Sequence, residues 1–125
     1  MSALEESNST FTSLGYQVIG ISPDHHNLIG DFANDQNLSF PLYSDADAEL
    51  MHAFGIAWKV EDDNIEKYKK SGSAMLEAFA YKDHHTLPDP AIYIIKDGII
   101  QFSYVNPDYS TRLKTETLIA ILSTL

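Results

Sequence analysis

At 125 residues the chain is long enough for one domain and short for two. Its 44% hydrophobic and 21% charged content argues against disorder throughout and against a coiled coil. The formal net charge is -10 with no Lys or Arg before Lys59, which argues against a nucleic-acid partner, because phosphate-backbone binding needs clustered cations.

Met1–Glu6 has neither a basic n-region nor an apolar h-region, and no apolar run approaches the roughly 20 residues of a membrane helix. The expected location is cytoplasmic, with no membrane partner. Ala3, Leu4, Phe11 and Leu14 have roughly helical spacing, so residues 2–14 are predicted helical although Ser7-Asn8-Ser9-Thr10 lowers the propensity. Gly15 ends that helix. Tyr16-Gln17-Val18-Ile19-Gly20-Ile21 is a short apolar, β-branched run and reads as a buried strand. Ser22-Pro23-Asp24 predicts a helix start, with Ser22 as cap, Pro23 in the first turn and Asp24 complementing the dipole. Leu28, Ile29, Phe32 and Ala33 then form one apolar face, and Asn37 is the expected stop. Leu38–Tyr43 reads as a short extended segment, with Pro41 suggesting an edge position.

Ser44-Asp45-Ala46-Asp47 has capping-box spacing, with Asp47 where Glu or Gln is commoner. Leu50, Met51 and Phe54 form the buried stripe of the next helix, and Gly55 is its expected left-handed C-terminal residue. Residues 60–82 read as two short helices broken at Ser71-Gly72, the first carrying Ile65 and Tyr68, the second Met75, Leu76 and Phe79. Two β-rich runs, Ala91–Lys96 and Ile99–Val105, flank Asp97-Gly98, a dipeptide that supplies the positive φ of a tight hairpin. Tyr93, Phe102 and Tyr104 are most simply core or sheet-face residues of that hairpin. Asn106-Pro107-Asp108 reads as a loop. Leu113, Leu118, Ile119, Leu122 and Leu125 form an amphipathic C-terminal helix. The pattern is α/β, one domain over 1–125, with no repeats and no internal linker.

Several of these segments carry a resemblance. Leu14–Asp24, Leu38-Ser39-Phe40-Pro41-Leu42-Tyr43-Ser44-Asp45, the step Phe54-Gly55-Ile56, and Leu87-Pro88-Asp89-Pro90-Ala91 running on to Ile100 resemble the peroxiredoxins. This is the alkyl hydroperoxide reductase and thiol-specific antioxidant family of thioredoxin-like proteins. Val105-Asn106-Pro107-Asp108-Tyr109 with Arg112 is similar to the ending of one peroxiredoxin-like subgroup. The resemblance implies a three-layer α/β/α thioredoxin-like fold with a C-terminal hairpin and helix, and an antioxidant oxidoreductase activity.

The departure from the family matters more. Family members begin with a strand ending in a peroxidatic-cysteine motif that leads into a helix; this chain is expected to start inside that helix, as an N-terminally truncated version of the fold. The chain contains no cysteine anywhere, so no thiolate is available to attack a peroxide oxygen. No catalytic residue is therefore assigned. The expected function is an antioxidant-oxidoreductase scaffold that is incompetent as this chain alone; the alternative is a non-enzymatic module that binds a partner chain.

The resemblance places Asp89 and Pro90 on the wall of the vestigial site. A proline at this place in thioredoxin-like folds is often cis, so the Asp89–Pro90 bond is either cis or part of an ordinary trans turn. Arg112 has two readings, a structural pairing with Asp108 or Glu116 and a substrate-facing role. Adjacent His25-His26 and His84-His85 would point about 100° apart on a helix and read as surface residues, like His52, so no metal and no cofactor is expected. Asp45, Asp47 and Glu49 lack calcium-loop spacing and read as helix N-terminal acids. Asn8-Ser9-Thr10 and Asn37-Leu38-Ser39 fit a glycosylation sequon without an export signal to make it matter.

In the thioredoxin-like arrangement that the resemblance implies, the missing strand would lie centrally, between Tyr16–Ile21 and Ala91–Ile95. A central strand with five apolar side chains contributes on the order of 10 kcal/mol by burial, comparable with the whole stability of a domain. The expected repairs are closure of the flanking strands or completion by another chain at the open sheet edge. Self-association is the favoured form, because Tyr16–Ile21 carries no Lys or Pro guard.

Overall fold

A computed structural model of the protein describes residues 2–24, 26–59, 86–108 and 112–125. Helix ends are the best-marked features of the sequence, and three of them share one geometry. Gly15, Asn37 and Gly55 have φ of 88°, 51° and 71°. In each case the residue donates its N–H to a carbonyl three back, and its successor donates five back. Gly15 bonds Thr12 O and Tyr16 bonds Phe11 O; Asn37 bonds Asn34 O and Leu38 bonds Ala33 O; Gly55 bonds His52 O and Ile56 bonds Met51 O. This double bond pattern satisfies the last orphan carbonyls, and it needs a left-handed residue, which glycine and asparagine adopt most readily. All three stops stand where the sequence predicts them.

The first helix is split into α1 (Ser2–Glu6) and α2 (Asn8–Ser13), with Ser7 as the N-cap position of α2. β1 (Gly20–Ser22) is shorter than the predicted Tyr16–Ile21 strand, because only these residues find a partner, in β2 (Leu42–Ser44). The pair is parallel, with Gly20 opposite Leu42 and Ser22 opposite Ser44. α3 (His26–Asp35) starts later than Ser22-Pro23-Asp24 predicts. Ser22 is still strand, and its hydroxyl donates to Asp24 Oδ2 at 2.8 Å, building a turn ahead of the helix. Ile29 is buried on α3 while Phe32 is exposed, so the predicted apolar face is only partly used.

α4 (Glu49–Ala53) does not use the expected capping box. Ser44 ends β2 and its hydroxyl donates to Asp24 O at 2.6 Å, too far back in the chain to reach the helix. The cap is the neighbouring residue: Asp45 Oδ1 accepts from Leu50 N and Oδ2 from Met51 N, both at 2.9 Å.

β3 (Ala57–Lys59) and β4 (Thr86–Pro88) form an antiparallel pair that the sequence reading lacks. Three-residue strands give too short a pattern for periodicity to detect. The predicted helices within 60–82 lie outside the described residues.

β5 (Ala91–Lys96) and β6 (Ile99–Val105) are the predicted hairpin. Asp97 and Gly98 have φ of 54° and 75°, which suits a two-residue turn whose twist matches the strands. A register shift lies between Ile94 and Ile95, ahead of the turn. A Cβ on Gly98 would meet nothing within 4 Å, so the cost of Gly98→Ala is conformational alone. It is expected at about 1 kcal/mol in a urea-unfolding measurement; no loss would mean that the turn does not hold its left-handed geometry in solution.

α5 (Thr115–Thr124) closes the chain. Its Leu118 and Leu122 pack with Phe11 of α2 and Ile94 of β5, and Tyr16, Val18, Ile92 and Phe102 pack around them. The order is a mixed α/β succession. Among the described residues the strands form three separate two-stranded sheets, β1–β2, β3–β4 and β5–β6, and no helix is long and apolar enough to cross a membrane.

Candidate functional site

With three two-stranded sheets, each of the six strands has one edge without a bonded neighbour among the described residues; two of these edges, on β1 away from β2 and on β5 away from β6, flank the core. Val18, two residues before β1, and Ile92 and Ile94 of β5 belong to the same hydrophobic cluster, so both strands border one core. Apolar surface continues onto them: Ile19, Ile21 and Ile95 are 53%, 46% and 52% exposed. Tyr43, in register with Ile21 on β2, is exposed as well. In a parallel pair such partners share a sheet face, so Ile21 and Tyr43 form one apolar patch.

Asp89 and Pro90 form the link from β4 to β5. Asp89 N donates to Ile56 O at 2.9 Å, continuing the β3–β4 ladder, and Pro90 O accepts from Asn106 N at 3.1 Å. The link is thus pinned to the exit of α4 on one side and to the end of β6 on the other, and both residues are half-buried. The Asp89–Pro90 bond is trans, and Leu87-Pro88 before it is strand instead of turn. Phe54, at the end of α4, reinforces this corner with its ring 4.6 Å from that of Tyr93 on β5.

Arg112 is exposed ahead of α5. The Asn106–Asp108 loop before it is a side-chain-stabilised turn, with Asp108 N donating to Asn106 Oδ1 at 2.9 Å. Among the described residues no hydrogen bond or ion pair joins Arg112 to the Asp89–Pro90 link. His26 and His52 are exposed on α3 and α4; His25, His84 and His85 lie outside the described residues.

One polar cluster escaped the sequence reading. Ser39 donates its N–H and its hydroxyl to Glu5 Oε2, at 2.9 and 3.0 Å, while Asn8 Nδ2 donates to Ser39 Oγ at 2.7 Å. These bonds tie α1 and α2 to the loop before β2. Contacts more than thirty positions apart leave no periodic signal that could announce them.

The sequence profile of the AhpC/TSA family matches residues 1–103. The chain belongs to the AhpC/TSA family. The mixed α/β succession is accordingly a thioredoxin-like fold. Among curated proteins of the family, "Putative peroxiredoxin bcp" of Haemophilus influenzae is 32% identical over 96 residues, covering 67% of this chain and 61% of that protein. "Putative peroxiredoxin Rv2521" of Mycobacterium tuberculosis is 47% identical over 45 residues, covering 36% of this chain and 29% of that protein. The chain therefore spans less than two thirds of either relative's length. Members of this family with thiol chemistry need a cysteine, and these 125 residues hold none.

Proposed function

We propose that the chain carries the antioxidant-oxidoreductase scaffold of the AhpC/TSA family without the capacity to reduce peroxide by itself, in the cytoplasm. The observation that carries the reading is the absence of any cysteine from the sequence. Peroxide reduction through a thiolate forms a sulfur–oxygen bond as the peroxide O–O bond breaks, and the resulting sulfenic acid is returned by a second thiol. No other side chain here supplies that two-electron cycle. Asp89 and Pro90 are the remaining wall of the vestigial site, and Arg112 is a structural residue of the loop leading into α5.

A second reading, an interaction module, is favoured by the edges of β1 and β5 that no strand pairs among the described residues, beside exposed Ile19, Ile21 and Ile95. Under both readings the architecture is a three-layer α/β/α sandwich of the thioredoxin-like type. Intact mass on the native source distinguishes them: a mass well above 14.0 kDa, with a cysteine motif ahead of Met1, restores the enzyme.

The 125-residue chain is expected to consume hydrogen peroxide or an alkyl hydroperoxide with thiol reductants at the background rate. Turnover above the reductant-only control would overturn the incompetent-scaffold reading.

A further inference from the structure

Asp97 is the single aspartate in the sequence that precedes a glycine, and no asparagine precedes one. That order has a chemical consequence. The main-chain nitrogen of the following residue can attack the aspartyl Cγ, and glycine puts no side chain in its way. A Cβ built on Gly98 would meet nothing within 4 Å, so no neighbour among the described residues crowds this side of the turn.

The hairpin has two unequal parts, divided by the register shift between Ile94 and Ile95. On the core side of the shift Ile94 is buried, and Phe102 opposite it packs against the same cluster. On the turn side Ile95 pairs with Ile100 and Lys96 with Ile99, and every residue from 95 to 101 is exposed. Cross-strand pairs without a buried side chain are all that closes the tip. Such a tip opens at a small fraction of the free energy that holds the core. Ring closure needs rotation about Asp97 that the closed turn opposes, with φ of 54° and 75° at Asp97 and Gly98. Opening of the tip releases that rotation.

We propose that Asp97 is a site of spontaneous isoaspartate formation, gated by opening of the hairpin tip. The Gly98 nitrogen bonds to Asp97 Cγ, the Cγ–OH bond breaks, and the hydroxyl leaves with the amide proton as water, giving a cyclic succinimide. Water then adds to the Asp97 main-chain carbonyl carbon, and the bond from that carbon to the Gly98 nitrogen breaks. The chain now runs through Cβ and Cγ, with the α-carboxylate free. No electron is gained or lost, and elemental composition and net charge are unchanged. The product carries an extra main-chain atom in the turn. A two-residue turn lengthened in this way no longer sets Lys96 opposite Ile99, so the modified tip stays open. Its free α-carboxylate belongs to the class of acceptor that S-adenosylmethionine-dependent isoaspartyl methyltransferases esterify.

The test ages the 125-residue chain beside a free peptide of residues 94–102, at neutral pH and physiological temperature. Isoaspartate is counted with such a methyltransferase and a labelled methyl donor, and its position is read by peptide mapping. The chain is expected to accumulate isoaspartate at Asp97 at a rate within about tenfold of the free peptide. Asp97→Glu, whose ring would be larger and slower to close, is expected to remove the signal. The comparison of chain with peptide needs no variant, so it stands whether or not Asp97→Glu folds. A rate slower than that range overturns the proposal. Accumulation at another aspartate in place of Asp97, or a signal that survives Asp97→Glu, overturns it as well.

Discussion

Replacing Phe11 by alanine is expected to cost about 3–5 kcal/mol of unfolding free energy. Phe11 is 1% exposed and sits where α2, β5 and α5 meet, against Ile94, Leu118 and Leu122. Removing the ring forfeits its transfer energy and leaves a cavity that three separate elements would have to close together. The main-chain bond from the Tyr16 N–H to Phe11 O that ends the helix is kept by alanine, so the loss reads side-chain packing. Tyr16 and Val18 pack on the same cluster and lead into β1, so loss of this residue loosens the approach to the open edge as well. Since a domain has only ~5–15 kcal/mol in total, the variant should be largely unfolded at modest denaturant. Urea unfolding followed by circular dichroism measures this, and a loss below about 1 kcal/mol would mean that α2 does not belong to the core.

The second large effect belongs to Asp45. Its carboxylate is 6% exposed and accepts the N–H groups of Leu50 and Met51, while its own N–H donates to Ser22 O at 2.7 Å. One residue therefore fixes the start of α4 and continues the β1–β2 ladder. Asp45→Ala is expected to cost about 2–3 kcal/mol, since two donors at the start of a five-residue helix lose charge-assisted partners. Asp45→Asn keeps a single carbonyl acceptor and turns an N–H₂ toward the other donor, so about half the loss is expected. If Asn and Ala were equally damaging, shape and not hydrogen bonding would govern the site. If neither mattered, packing of Met51 and the Phe54–Tyr93 contact would hold α4 without the cap.

Asp45 also shows where sequence reading loses its grip. The local text Ser44-Asp45-Ala46-Asp47 announces a helix start, but not which oxygen does the capping, because Ser44 is claimed by the strand pairing of β2 and by Asp24 O. The same competition moves the start of α3 past Ser22. β3 and β4 were illegible for a related reason: Trp58 opposite Leu87 is a pairing between short segments far apart in sequence.

The sequence by itself determined the punctuation of the chain and the limit on its chemistry. Gly15, Asn37, Gly55 and Asp97-Gly98 act through φ preferences confined to one or two residues, and these operate whatever surrounds them. The absence of a thiol follows from composition alone. Tertiary structure decided how much of each apolar run became strand and which strands pair among the described residues. Tyr16–Ile21 has the side chains of a full strand, yet a strand exists only where a second backbone supplies donors and acceptors. Here that backbone reaches Gly20–Ser22 and stops.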